Sequence, residues 1–118
     1  MPIVLKRAYD KPAPEDGYRV LVDRIWPRGV TKDNVKLNRW IKEVAPSDAL
    51  RKWFHKDPSR WGEFRRRYLS ELKNNREELR RLAKLSKSER ITLIFSASDK
   101  EHNNAVIVKQ YLKMLGTR

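Results

Sequence analysis

The stretch that decides the fold runs from residue 91 to residue 105 and reads ITLIFSASDKEHNNA. Its first part, Ile91 to Ala97, is an apolar run of the kind that forms a buried strand. Polar residues follow at once, and Ser98 and Glu101 have the spacing of a capping box, which predicts that a helix begins there. Apolar residues then recur at helical spacing until Gly116, which ends the predicted helix. A strand followed directly by a helix indicates an α/β protein.

Two further strands are predicted upstream of this stretch. The first, Pro2 to Tyr9, has an apolar body, and the second, Tyr18 to Ile25, contains a continuous apolar run typical of a strand covered on both faces. Two prolines and Gly17 mark a turn between them. Residues 35–45 fit either a helix or a strand, and part of this segment is predicted to be extended.

The middle of the chain is predicted to be helical. Ser47 is a suitable N-cap for one helix, and the pair Asp57-Pro58 fits the start of the next. Trp61 begins an apolar pattern with a period of three or four residues, and a leucine pattern after Asn75 predicts another helix. The order of elements predicts one α/β domain over residues 1–118, with a small, mostly parallel sheet of about four strands covered by helices.

The composition narrows the function classes. The chain has 28 Lys and Arg against 15 Asp and Glu, a net charge of +13. Such a charge attracts nucleic acids, anionic membranes or anionic metabolites, although a merely solvated surface has the same composition. The sequence contains no cysteine, which excludes disulfides, thiolate nucleophiles and cysteine-based metal sites. His55 and His102 are too few for a multi-histidine site, so no metal is predicted and no cofactor is assigned.

The sequence predicts no partnership with a membrane. It lacks the apolar run of about 18 residues that a spanning helix needs. Its first residues also lack the long apolar segment of a signal peptide. Together with the absence of cysteine, these features lead us to expect a cytoplasmic protein.

The segment Arg19-Val20-Leu21-Val22-Asp23-Arg24-Ile25-Trp26-Pro27-Arg28-Gly29 carries a family resemblance. It resembles the Val-Asp-Arg-x-Trp-Pro-Arg-Gly signature of the YeaO-like proteins, a family classified as a domain of unknown function. Three further blocks agree with that family in order: residues 40–47, 50–68 and 99–106. The resemblance therefore spans nearly the whole chain, and it implies no established activity and no known catalytic residues.

The sequence departs from this family at two positions. Lys56 stands directly before Asp57-Pro58, where relatives often have histidine, and His55 lies one place earlier. Asn104 stands where many relatives have histidine or glutamine. A role for a histidine at either position therefore does not transfer to this chain.

Two polar loops follow predicted strands and form the candidate site. Ligands of open α/β sheets bind beyond the carboxyl ends of the strands. The loop after the second strand contains Asp23, Arg24, Trp26, Arg28 and Gly29. The loop after the last strand contains Ser96, Ser98, Asp99, His102 and Asn103. If the two strands are parallel neighbours, these loops converge.

The residue types in the two loops fit an anion. Arg24 and Arg28 can bind a phosphate or carboxylate through paired N–H groups. Gly29 lets the backbone approach a ligand closely, and Trp26 can stack on a ring. The start of the last helix offers free N–H groups and the positive end of its dipole. We therefore expect a cleft that binds an anionic small molecule such as a nucleotide or a phosphorylated metabolite.

His102, Asp99 and Asp23 are the candidate catalytic residues. The helix dipole would keep His102 neutral in its predicted first helical turn, so it could act as a base oriented by either aspartate. Ser98 and Asn103 would contact the ligand beside it. The sequence specifies no nucleophile, no Walker loop and no G-x-G-x-x-G motif. Whether the protein is an enzyme therefore stays open.

Structural interpretations compete with these roles. Asp23 and Arg24 can form an ion pair between strand ends. Trp26 can belong to a packed corner, and Ser98 and Asp99 can serve only as helix caps. Each alternative would remove a residue from the candidate site.

A basic helical face is the basis of the alternative function, nucleic-acid binding. Its residues are Arg65, Arg66 and Arg67, with Arg76, Arg80, Arg81 and Lys84 on the following predicted helix. Such a face would bind phosphates with a strong dependence on salt. Glu63 and Glu77, however, stand four residues before Arg67 and Arg81, a spacing typical of a solvated helix.

Overall fold

The computed structural model describes residues 2–116 and contains a four-stranded parallel sheet. Its strands are β1 (Ile3–Arg7), β2 (Tyr18–Leu21), β3 (Arg39–Trp40) and β4 (Ile91–Phe95). Their order across the sheet is β1-β4-β2-β3, and every pair is parallel. All residues of β4 are buried. The predicted small parallel α/β sheet is confirmed, and β2 and β4 are neighbours.

Five helices accompany the sheet in the described part of the chain: α1 (Lys32–Val35), α2 (Asp48–Lys56), α3 (Trp61–Leu72), α4 (Arg76–Leu85) and α5 (Asn104–Gly116). Ser47 caps α2, since its hydroxyl accepts the N–H of Leu50 at 3.2 Å. Asp57 accepts the N–H of Ser59 at 3.1 Å and caps the short 3-10 turn that leads into α3. Both predicted helix starts are therefore confirmed.

The two faces of the sheet are covered differently. Helices α2 to α5 pack on the face that contains Val20 and Leu93. The opposite face contains Leu21 and Ile94, and it is covered by the segment between β2 and β3. Trp40 packs in this second layer. Within residues 2–116, no helix is both long enough and apolar enough to cross a membrane.

The ambiguous segment 35–45 contains little regular structure. It includes the two-residue strand β3 and a 3-10 turn, Lys42–Val44. The prediction that part of the segment is extended is confirmed by β3. The indole N–H of Trp40 donates to the carbonyl oxygen of Asp23 at 2.6 Å, which ties β3 to the loop after β2.

The predicted start of the last helix at Ser98 is wrong. Helix α5 begins at Asn104. The side chain of Asn103 accepts the N–H of Val106 at 3.1 Å, the geometry of an N-cap. Because asparagine is as good a cap as serine, the Ser98–Glu101 spacing did not decide where the helix begins.

A turn around Asp99 replaces the expected first helical turn. One carboxylate oxygen of Asp99 accepts the N–H groups of Glu101 at 2.9 Å and of His102 at 3.0 Å. His102 therefore lies before the helix, and its predicted place in the first helical turn is wrong.

A buried ion pair stabilises the opposite end of β2. Asp16 accepts hydrogen bonds from Arg19 at 2.6 Å and from Lys6 at 3.1 Å. Arg19 also donates to the carbonyl oxygen of Val35 at 2.7 Å. Burial acts to raise the pKa of Asp16, but the N–H of Ala13 and the two cations outweigh it, so this pKa lies below its ordinary value. The network fixes α1 against the sheet.

Candidate functional site

A cavity of about 270 Å³ opens beyond the carboxyl ends of β2 and β4. Its walls come from the loops after these strands, the segment before α2, and helices α2 and α3. The charged and imidazole side chains in its lining are Asp23, Arg24, Arg51, His55 and His102. This is the edge at which open parallel α/β sheets bind ligands. The two polar loops converge here, because β2 and β4 are parallel neighbours.

The bridge between Asp23 and Ser96 joins the two strand ends. A single carboxylate oxygen of Asp23 accepts the N–H of Ser96 at 2.9 Å and its hydroxyl at 2.8 Å. Asp23 therefore pairs with Ser96, and the alternative ion pair between Asp23 and Arg24 is not formed among residues 2–116. The bridge holds both loops at one edge of the cavity.

Two arginines line the cavity from different elements. Arg24 follows β2, and its Nε lies 3.4 Å from the carbonyl oxygen of Pro46, a long hydrogen bond. Arg51 lies on α2 and pairs with Asp48 through a terminal nitrogen at 3.4 Å. The Nε of Arg51 is buried and has no hydrogen-bond partner among residues 2–116. Because a buried N–H without an acceptor is unfavourable, this group would be stabilised by an anion.

Both histidines of the chain lie at the same cavity. The Nδ1 of His102 lies 3.2 Å from a carboxylate oxygen of Asp99, and its ring meets the ring of Trp61 edge-on at 5.0 Å. The N–H groups of Glu101 and His102 lower the pKa of Asp99. His55 comes from the last turn of α2. The imidazole of His102 is exposed at the rim, so it can contact a ligand without being enclosed.

The apolar part of the wall is aromatic. The rings of Phe54 and Phe64 stack with a centroid separation of 4.4 Å and an interplanar angle of 25°, and both line the cavity. Tyr68 is packed against Phe64, and its hydroxyl donates to the carbonyl oxygen of Val44. Burial raises the pKa of Tyr68 well above its ordinary value. The stacked rings make this part of the cavity wall apolar.

Three predicted site residues from the loop after β2 lie outside the cavity. Trp26 packs edge-on against Trp40 at 5.3 Å, and its indole N–H donates to the carbonyl oxygen of Val30 at 2.5 Å. This packing directs the loop to the opposite face of the sheet, where Arg28 and Gly29 are exposed. Trp26 is therefore in a packed corner, and none of the three lines the cavity.

In the loop after β4, some of the predicted site residues also line the cavity and others do not. Asn103 lines the cavity, and its side chain also donates to the carbonyl oxygen of Asp99 at 2.9 Å. Ser98 and Asp99 are exposed and stand outside the lining. Asp99 therefore contacts two residues of the lining, His102 and Asn103, without lining the cavity itself.

Sequence reasoning missed three residues of α2 that line the cavity: Arg51, Phe54 and His55. The sequence predicted this helix from its N-cap and assigned none of the three to the candidate site. A signal was present, since Arg51 and His55 are four residues apart and so share one side of the helix. Tertiary packing determines which side of α2 faces the strand ends, and the local sequence pattern does not predict this orientation.

The basic face of the alternative function is largely occupied by contacts within the protein. Four of its arginines contact another side chain: Arg65, Arg66, Arg67 and Arg81. Two of them pair with Glu63, one pairs with Glu78, and one donates to Gln110. Arg80 lies apart from this arrangement, on a different side of α4.

Metal ligands are not grouped in the described part of the chain. Within residues 2–116, no cluster of three or more histidine, aspartate or glutamate side chains is placed to hold a metal ion. The arrangement at the cavity therefore offers cationic and aromatic contacts.

The fold and the cavity define a small parallel α/β protein with a cationic cleft at its strand ends. The chain belongs to the family described as "Inactive DUF488-N3 subclade", whose model matches residues 2–116. It is 43% identical over 115 residues to the Escherichia coli protein described as "Uncharacterized protein YeaO", covering 98% of this chain and 100% of that one. The YeaO-like resemblance is thereby confirmed.

Mycobacterial relatives extend this comparison. An uncharacterised protein of Mycobacterium bovis is 41% identical over 106 residues, which cover 90% of this chain and 89% of the relative. An uncharacterised protein of Mycobacterium tuberculosis has the same identity and coverage. No solved structure matches the chain.

Proposed function

We propose that the protein binds an anionic small molecule, such as a nucleotide or a phosphorylated metabolite, in the cavity beyond β2 and β4. The observation that carries the proposal is the pair Arg24 and Arg51 in the lining, with the Nε of Arg51 buried and without a partner among residues 2–116. Asp23 is the one carboxylate in the described lining, and Ser96 occupies it. The cavity therefore has an excess of positive charge.

The size and the aromatic stack favour a compact ligand. Small-molecule sites usually enclose about 300–1,000 Å³, so a cavity of about 270 Å³ lies at the small end. Phe54 and Phe64 make one part of the cavity wall apolar and aromatic, and the arginines line the same cavity. A molecule with one phosphate or carboxylate and a small ring would use both features.

We further propose that this ligand is bound without being converted. Asp23 accepts both the N–H and the hydroxyl of Ser96, so this pair holds the two strand ends together. His102 and Asp99 lie at the exposed rim, where water competes for the same hydrogen bonds. The description of the matching subclade as inactive agrees with a binding role. The proposal assumes a cytoplasmic protein.

Calorimetric titration with inorganic phosphate and with nucleoside monophosphates tests this function. We expect saturable binding to the wild type. Arg51→Gln and Arg24→Gln should each weaken it roughly tenfold or more, since a hydrogen bond to a charged group contributes about 1.5–3 kcal/mol. Arg28→Gln is the matched control, because this exposed arginine lies outside the cavity and has no side-chain partner among residues 2–116.

Two outcomes would contradict the proposal. In the first, none of the probes binds the wild type at millimolar concentration. In the second, Arg28→Gln weakens binding as much as Arg51→Gln, which would mean that general surface charge attracts the anion.

A further inference from the structure

A row of five cations extends along one side of α4 and beyond both of its ends. Its members, named here the basic stripe, are Lys73, Arg76, Arg80, Lys84 and Lys87. They are three or four residues apart, the spacing that places side chains on one side of a helix. Together they line a groove of about 670 Å³ between α4 and the end of α5.

The cations of the basic stripe differ from their neighbours in having no partner. None of the five makes a side-chain hydrogen bond or ion pair within residues 2–116. By contrast, Arg66 and Arg67 pair with Glu63, and Arg81 pairs with Glu78. Like charges at this spacing destabilise a helix. An unpaired row of five therefore lowers the stability of the protein unless an anionic partner compensates for it.

The length of the basic stripe favours a linear polyanion. From Lys73 to Lys87 a helix rises about 21 Å. One strand of a nucleic-acid duplex places a phosphate about every 3.4 Å along its axis, so the stripe matches about six phosphates. A small anion could contact only two or three of the five cations at once.

A lipid surface fits the groove less well than a nucleic acid. A helix that lies on a membrane inserts an apolar side between the headgroups. The apolar side of α4, which includes Leu79 and Leu82, is buried in the core. Helix α4 therefore exposes cationic side chains, but its apolar side is not available to insert into a membrane.

The opposite wall of the groove supplies a hydrogen-bond donor. Tyr111 lines the groove and is only 5% exposed. Its hydroxyl is buried and has no hydrogen-bond partner among residues 2–116. A buried hydroxyl without a partner is unfavourable, and a phosphate or sugar oxygen in the groove would satisfy it.

We propose that the basic stripe, with Tyr111, binds the phosphate backbone of a nucleic acid without reading its sequence. This site shares no lining residue with the cavity at the strand ends. It shares Arg76, Arg80 and Lys84 with the basic face predicted from the sequence, but it excludes the arginines of α3 and adds Lys73, Lys87 and Tyr111. The two binding functions are therefore separable by mutation.

Fluorescence anisotropy with labelled duplex DNA and single-stranded RNA, over a series of salt concentrations, tests the site. The stripe variant combines R76Q, R80Q and K84Q. The control variant combines R66Q, R67Q and R81Q, which removes the same charge from exposed arginines that have partners. Thermal denaturation checks folding, and the stripe variant should be at least as stable as the wild type because like-charge repulsion is relieved.

The salt dependence gives the expected magnitudes. Each lost phosphate contact lowers the slope of log K against log salt by about 0.9 for a duplex, so the stripe variant should lose about 2.7. Its affinity at moderate salt should fall by roughly two orders of magnitude, while the control variant keeps the wild-type slope. R80Q alone should lower the slope by about 0.9, and it replaces the stripe variant if that variant does not fold.

Three results would overturn the proposal. In the first, the wild type binds neither probe at low salt. In the second, the salt-dependence slope falls as much in the control variant as in the stripe variant. In the third, the basic stripe binds vesicles of anionic lipid and no nucleic acid. Arg51→Gln should leave nucleic-acid binding unchanged, since it lies in the other site.

Discussion

The bridge between Asp23 and Ser96 predicts how much stability the edge of the cavity contributes. One carboxylate oxygen accepts two hydrogen bonds, at 2.9 and 2.8 Å. Hydrogen bonds to charged groups contribute about 1.5–3 kcal/mol each. Both side chains are partly exposed beside the cavity, so water replaces part of the loss. We therefore expect Asp23→Ala to lower the free energy of unfolding by about 2–4 kcal/mol.

This loss is large enough to measure by thermal denaturation. A chain of 118 residues has an entropy of unfolding of about 0.25 kcal/mol/K. The expected fall in Tm for Asp23→Ala is therefore about 8–16 °C. Asp23→Asn keeps an oxygen that accepts both hydrogen bonds and loses only the charge, so its effect should be about 1 kcal/mol.

A double-mutant cycle with Ser96→Ala isolates the bridge from other effects of each substitution. Ser96→Ala removes the hydroxyl and should cost about 1–1.5 kcal/mol in the wild type, but close to nothing once Asp23 is alanine. The assay is urea unfolding followed by tryptophan fluorescence. If Ser96→Ala costs the same in both backgrounds, the bridge does not join the strand ends. A fall in Tm of less than about 3 °C for Asp23→Ala would also refute the reasoning.

Two further predictions concern the turn before β2. The pKa of Asp16 is lowered on folding, so its stabilising effect is present above its unfolded pKa of about 4 and is lost as the pH falls through the lower folded pKa. Urea unfolding should therefore show the difference between wild type and Asp16→Asn shrinking below pH ~4, and a constant difference would contradict this. At Gly17, φ is +68° and an added Cβ would lie 2.4 Å from the carbonyl oxygen of Arg90, so Gly17→Ala should lower the free energy of unfolding by more than about 1 kcal/mol. Gly62→Ala, with nothing within 4 Å of its Cβ, should raise that free energy by about 0.5–1 kcal/mol, and equal effects of the two substitutions would count against the prediction.

Local sequence patterns were enough to predict the strands of the sheet and the starts of two helices. The apolar run of β4 is fully buried and pairs with a strand on each side, as a continuous apolar run predicts. Ser47 caps α2 directly, and Asp57 caps the 3-10 turn that leads into α3, because each offers a side-chain oxygen to free N–H groups at a helix start. The convergence of the two polar loops followed from the parallel arrangement of their strands.

The composition of the cavity could not be predicted, because it depends on tertiary packing. Trp26 has the chemistry of a stacking residue, yet it packs on Trp40 across the sheet and takes Arg28 away from the cavity. Arg51 and His55 enter the lining because the end of α2 lies over the strand ends. No local sequence pattern determines how α2 packs against the strand ends. The site therefore lies where the sequence predicted it, but several of the residues that line it are different.

The most direct test of the account is whether an anion reaches the Nε–H of Arg51. Proton–nitrogen correlation NMR resolves the Nε–H signals of arginine side chains, and the signal of Arg51 is assigned by its loss in Arg51→Gln. On titration with inorganic phosphate, we predict that this signal shifts and saturates while that of Arg28 does not move. A stationary Arg51 signal, with exposed arginines shifting in proportion to phosphate concentration, would contradict an anion site at the strand ends.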